Sequence, residues 1–173
     1  MAPMEPRQQP GQTPLAIHRD PVHGLALLYP DWWQAYDIPD GRLFSPGDPD
    51  TFISIEARRL GTPVTARDLP DLESGFLAGL RTVPGSKLQS HRSYDAGIAL
   101  GLEARQLYDG HKRWIRLLYR GELQVRLVAQ GATERDFDFW LPCFDPAMTS
   151  FVFDAAAMPG LDPFEGRPPP LSP

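Results

Sequence analysis

Two hydrophobic periods alternate along this chain, and their order leaves few folds open. Between Phe52 and Arg58 the residues Phe52, Ser54, Glu56 and Arg58 alternate with Ile53, Ile55 and Ala57, the two-residue period of a half-buried strand. Shorter β patterns precede it at 17–19, 25–29, 34–38 and 42–45, and others follow at 87–94, 100–108, 112–120 and 123–131. The helical period of 3.6 residues occurs twice, once between the two runs of strands and once after them. Strands grouped in runs cannot supply the crossover helices of a parallel sheet, so the order predicts an α+β fold with a mostly antiparallel sheet.

Local chemistry agrees with the periods. Thr65, with Asp68 three residues on, is an N-cap signature, and Pro70 falls where a helix start tolerates it. Leu69, Leu72, Phe76, Leu80 and Val83 then form one apolar stripe, which Pro84 and Gly85 end. Thr133 with Asp136 opens the second helix, whose stripe is Phe137, Trp140, Leu141, Phe144 and Met148. Pro142 is expected to kink it, because the carbonyl of Asp138 loses its donor. Asp109–Gly110 is a pair suited to a two-residue hairpin turn, and Gly121 marks a second tight turn, so the strands around them form an antiparallel meander.

Half of the 20 prolines lie in Met1–Pro14 and Pro159–Pro173, where apolar residues are sparse and nothing is periodic. One folded domain is therefore expected over residues 15–154, between proline-rich tails at 1–14 and 155–173. With 173 residues, 42% of them hydrophobic, the chain can build a full core. No apolar run approaches the roughly 20 residues of a membrane span. Residues 1–14 lack the basic and apolar regions of a secretory signal, which leads to an expectation of a cytoplasmic protein. A formal charge of −5 disfavours nucleic acid as a partner.

Once the elements are ordered, several short motifs look like the PsbP-like family, the fold group of the extrinsic photosystem protein, the Mog-type Ran-binding proteins and the DcrB-like bacterial proteins. The carriers are a strand ending in Tyr29, Pro30, Asp31, Trp32, the Thr-led helix closing near Pro84 and Gly85, the long meander, and a last helix closing on Ser150, Phe151, Val152, Phe153. The resemblance spans about Ile17 to Phe153. It implies an α/β/α sandwich, a central antiparallel sheet packed against two main helices, in proteins that bind or scaffold partners.

Residue chemistry points away from catalysis. The single cysteine, Cys143, sits in the second helix beside Pro142, where a thiol packs as a small apolar group. His18, His23, His91 and His111 show no paired helical spacing, and His18, Asp20 and His23 read as turn residues, so no metal or cofactor is expected. Asp48 and Asp50 lack the later ligands of a calcium loop. The best candidate surface is on the meander, where Trp114, Arg116, Leu118 and Arg120 share one strand face and Arg126 lies on the neighbouring strand, because arginine and tryptophan dominate binding hot spots. Trp32 and Trp33 are adjacent in a strand-like segment, so one of them faces out, and Trp33 joins Trp114, Arg116, Arg120 and Arg126 as a predicted contact residue.

The function expected from the sequence is a non-catalytic binding or accessory module, scaffold-like or chaperone-like, with an unknown protein partner. Composition does not choose between monomer and homodimer. The alternative is a small-molecule or lipid-binding protein with a pocket between the sheet and the second helix, lined by Phe137, Trp140, Leu141 and Phe144.

Overall fold

The computed structural model describes residues 10–153; of the expected tails at 1–14 and 155–173, residues 10–14 are described and the rest lie outside the described residues. A 3-10 turn at Pro10–Gln12 is followed by the strands β1 (Leu15–Asp20), β2 (Leu25–Pro30), β3 (Gln34–Ile38), β4 (Gly41–Ser45) and β5 (Phe52–Val64). Helix α1 (Leu69–Arg81), strands β6 (Lys87–Asp95), β7 (Leu100–Tyr108) and β8 (His111–Gly131), and helix α2 (Glu134–Ser150) follow among the described residues. The class is α+β, with two main helices and every strand pairing antiparallel. Among the described residues no helix is long and apolar enough to cross a membrane.

The described residues fall into two compact units. Residues 34–138 carry a sheet of strand order β3-β4-β5-β8-β7-β6 and helix α1. Strand β8 is extended over 21 residues, and a straight strand of that length would span about 70 Å. Side-chain bonds show that it doubles back. Arg113 Nε donates to Gln130, Gln124 Nε2 donates to the Tyr119 hydroxyl at 2.9 Å, and the His111 ring meets the Ala132 carbonyl at 2.7 Å. The reversal centres on Gly121, whose φ of 58° few other residues adopt without strain. The arm at 111–119 pairs with β7 and the arm at 121–130 pairs with β5, so the two strands predicted for this region are the arms of one hairpin.

Asp109 and Gly110 both have positive φ, as their hairpin turn requires. Strand β5 extends beyond the predicted 52–58; Ile53, Ile55 and Ala57 are buried as predicted, but Ser54 of the alternating set is buried as well, because that face too is covered. On the opposite sheet face, α1 lays its stripe down. Leu80 and Phe76 pack with Ala104, Ile115 and Val128, while Leu69 and Leu72 pack with Leu100, Leu102 and Tyr119. The helix begins later than Thr65 suggests. Asp68 accepts from both the Thr65 amide and its hydroxyl, and this box starts a 3-10 turn at Ala66–Asp68 that becomes α-helical at Leu69.

The second unit comprises residues 10–33 and 139–153 of the described chain. Its β1–β2 hairpin forms a separate two-stranded sheet. Ala26 bridges Val152, and Ser150 Oγ accepts the Leu28 amide at 3.0 Å, which ties the end of α2 to β2. Thr133 Oγ1 accepts the Asp136 amide at 3.0 Å and donates to its carboxylate at 2.8 Å, the N-cap the sequence predicts. The helix passes through Pro142 and also through Pro146, which leaves the carbonyls of Asp138 and Pro142 without their ordinary intrahelical donors.

Candidate functional site

The hairpin of β8 decides where the predicted contact residues lie. Side chains alternate along each arm, and Arg113 sits across from Gln130, so Arg113, Ile115, Leu117 and Tyr119 share their face with Gln124, Arg126, Val128 and Gln130. Trp114, Arg116, Leu118 and Arg120 occupy the other face. Arg126 is thus separated from Trp114 and Arg116 by the thickness of the sheet, and the four do not form one surface.

On their face, Trp114 and Arg116 are committed to internal partners. Glu103, 9% exposed, accepts from Trp114 Nε1 at 3.0 Å and from Arg92 Nη2 at 2.9 Å, and Arg116 Nε lies 3.5 Å from the same carboxylate. Arg116 Nη2 also donates to the Tyr94 hydroxyl at 2.6 Å. The Tyr94 ring lies over Gly101, where an added Cβ would come within 2.1 Å of ring carbon. Arg105 stacks on the Trp114 ring at 4.4 Å. The hydrogen bond to Glu103, followed by its charge, raises the Arg92 guanidinium above its ordinary value. This is a polar network centred on the buried Glu103, with Arg92 at its exposed edge, that links β6, β7 and β8, and two of the predicted contact residues are inside it. Arg120 is exposed at the hairpin end, beside a shallow depression of about 230 Å³ that also includes Thr65, Asp95 and Ile98.

The aromatic pair resolves in favour of the other tryptophan. Trp33 is 4% exposed and packs edge-on against Trp140 and Phe144, at ring centroid distances of 5.3 and 6.1 Å. Trp32 is 38% exposed and Phe139 is 37% exposed, and both rings contact Trp140, at 5.9 and 4.9 Å. Within this unit two exposed aromatic rings therefore flank a buried one. Such a cluster presents a large rigid apolar area at small conformational cost.

The other face of the larger sheet holds a cavity that sequence reading places elsewhere. About 420 Å³ opens between α1 and the sheet, walled by Phe76, Leu80, Val83, Ile115 and Leu117. Phe137, Trp140, Leu141 and Phe144, the lining predicted for a pocket at the second helix, are absent from it. Gly75 and Gly79 form the helix side of the opening, and a Cβ added at either would meet nothing within 4 Å. Arg58, Arg113 and Arg126 supply positive charge, opposed by Asp40 and by Glu56, which lies 3.4 Å from Arg126. Burial pushes the half-buried Arg113 guanidinium below its ordinary value; Tyr108, whose ring it covers at 4.1 Å, opposes this, and the like charge of Arg126 adds to it. A glycine pair four apart on an otherwise apolar stripe is the sequence signal that would have found this side of α1.

The remaining candidates resolve as structural. Among the described residues no three His, Cys, Asp or Glu side chains group as metal ligands. Asp20 closes the β1–β2 turn, accepting the Val22 and His23 amides and pairing with the His23 ring at 2.6 Å. Asp48 accepts the Asp50 amide at 3.0 Å and the Thr51 hydroxyl at 3.0 Å, a closed turn. Burial pushes the Cys143 thiol up to about 11, so it carries almost no thiolate at neutral pH.

No family model matches the chain, and no curated protein matches its sequence. Solved structures do resemble it. The solution structure of cyanobacterial PsbP (CyanoP) from Synechocystis sp. PCC 6803 superposes with a TM-score of 0.61 at 18% identity, covering 87% of this chain and 98% of that one. The Ran-binding protein Mog1p of Saccharomyces cerevisiae superposes with a TM-score of 0.51 at 8% identity, covering 83% of this chain and 98% of that one. At these identities the likeness is one of fold, and it agrees with the order of strands and helices described above: the chain has the fold of the PsbP/Mog1-like group.

Proposed function

We propose that the chain is a non-catalytic accessory module that docks a protein partner on the aromatic cluster of Trp32, Phe139 and Trp140. The observation that carries this reading is the exposure of Trp32 and Phe139, at 38% and 37%, around a ring that is itself buried. Exposed aromatics held rigid by neighbours contribute disproportionately to protein interfaces, since they lose little side-chain entropy on binding. The partner this suits is an amphipathic segment whose apolar face covers both rings. The fold is also that of Mog1p, a protein described as Ran-binding. Burial of Cys143 removes the one thiol nucleophile and is in keeping with a binding role.

The test is capture of partners from the host's own lysate, followed by calorimetric titration of the recovered protein against the wild-type chain and a Trp32→Ser/Phe139→Ser variant. Far-UV circular dichroism checks that the variant keeps its fold. A stoichiometric protein partner is expected, with affinity reduced at least about tenfold by the double substitution. Recovery of no stoichiometric partner, or equal affinity for the two chains, refutes the reading.

A further inference from the structure

We propose that the cavity between α1 and the sheet binds a small amphipathic acid: a carboxylate on an apolar body that also carries a hydroxyl or N–H donor. This site is distinct from the aromatic cluster and does not rest on the protein-partner reading. Its volume of about 420 Å³ falls within the roughly 300–1,000 Å³ of small-molecule sites, and five apolar side chains form its walls.

Two polar features inside it are complementary to such a ligand. The first is Gln106, fully buried on the cavity wall. Its Nε2 donates to the Leu80 carbonyl at 3.0 Å, one of the last carbonyls of α1 that no intrahelical amide reaches, and it also meets Ser86 Oγ. That bond fixes the orientation of the amide, because the flipped form would set Oε1 against a carbonyl that needs a donor. Oε1 is then left buried, and no group among the described residues donates to it. A buried acceptor in that position costs free energy until a donor arrives. The second feature is Arg113, the cross-strand neighbour of Gln106 in the register of β7 and β8. It is held in place by Gln130 and by the Tyr108 ring, it bears the like charge of Arg126, and no carboxylate among the described residues pairs with it. An anion relieves that repulsion.

The same groups exclude other classes. Three arginines, Arg58, Arg113 and Arg126, outnumber the two lining carboxylates, Asp40 and Glu56, of which Glu56 is already paired with Arg126, so an anion is favoured over a cation, and a plain hydrocarbon leaves both Arg113 and Gln106 without partners. A densely charged ligand such as inorganic phosphate gains nothing from the apolar walls. Directly opposed side chains begin about 5 Å apart at Cβ, so the donor belongs close to the carboxylate on the ligand. Gly75 and Gly79 keep the entrance open at positions where alanine would make a better helix.

The full chain is titrated by calorimetry with 3-hydroxydecanoate, decanoate and decan-1-ol, each below its aggregation limit. The hydroxy acid is expected to bind saturably, decanoate up to about tenfold more weakly, and the alcohol more weakly again. Arg113→Met weakens both acids at least about tenfold, and Gln106→Leu abolishes the preference for the hydroxy acid. Gln106→Leu also removes a bond to the end of α1, so Gly79→Leu provides a second variant: it fills the entrance from an open helix position and is expected to block all binding with the fold intact. Absence of saturable binding by either acid overturns the proposal and marks the cavity as hydrated space. Unchanged binding in Gly79→Leu overturns it by placing the acid elsewhere, and failure here leaves the aromatic-cluster experiment unaffected.

Discussion

Replacing Gly75 and Gly79 by alanine should stabilise this protein. Both residues lie inside α1, at its centre and in its last turn. An added Cβ meets no atom within 4 Å at either site, and neither backbone is in the left-handed region. Glycine costs about 0.8–1.0 kcal/mol relative to alanine in a helix interior, through the backbone freedom it loses on folding. Gly79 is near the helix end, where the cost is smaller, so the pair is worth about 1.5–2 kcal/mol. In a chain of this size about 1 kcal/mol moves the melting temperature by roughly 2–4 °C, which gives an expected rise of about 3–8 °C. Thermal unfolding by circular dichroism and urea unfolding measure it, and an unchanged urea m-value would locate the effect in stability alone. Gly101→Ala is the opposing control. There the new methyl collides with the Tyr94 ring, and destabilisation of at least about 1–3 kcal/mol is expected from overpacking. If the helix variants proved neutral or destabilising, the open space over Gly75 and Gly79 would be wrong, and the entrance to the cavity with it.

Glu103→Ala should cost about 3–5 kcal/mol, because it strands the Trp114 indole N–H and the Arg116 guanidinium in a buried site; loss of less than about 1 kcal/mol in urea unfolding would show that the network contributes nothing to stability. Burial raises the Asp20 carboxyl, but the hydrogen bonds and charge of His23 outweigh it and hold the group below its ordinary 3.8. A depressed carboxyl stabilises the fold above its unfolded pKa and loses that contribution as pH falls through the folded value, so wild-type stability should drop below about pH 4 and Asp20→Asn should flatten that limb in pH-resolved unfolding. Cys143, buried with its thiol pushed up to about 11, should resist a disulfide-exchange reagent in the native state and react at once in denaturant; prompt native labelling would contradict its burial.

How much of this is legible in the sequence follows from the range of the interactions. The caps at Thr65 and Thr133, the turn at Asp109–Gly110 and the reversal at Gly121 each depend on a few consecutive residues, and all appear where the local chemistry places them. The stripe of α1 and the alternation of β5 are readable because a buried face repeats with the period of its element. The arginine surface fails both because Glu103 engages Trp114 and Arg116 and because of the parity of the hairpin. A two-residue reversal at Gly121 sets Arg113 against Gln130, so odd-numbered residues of one arm share a face with even-numbered residues of the other. That parity follows from the position of the turn, and it puts Arg126 and Arg116 on opposite faces of the sheet.

The sequence by itself determined the class of fold, its strand order in the meander and its helix boundaries to within a turn, because those follow from periods and turns that each residue's neighbours fix. Tertiary structure alone decided which residues are available for function. Trp32 and Trp33 are chemically identical and adjacent, yet one is buried against Phe144 and the other is 38% exposed. Arg116 and Arg113 lie three residues apart on one strand, yet a carboxylate from β7 neutralises the first while the second faces a cavity. Exposure and charge compensation are set by groups brought from distant parts of the chain, and no local pattern encodes them.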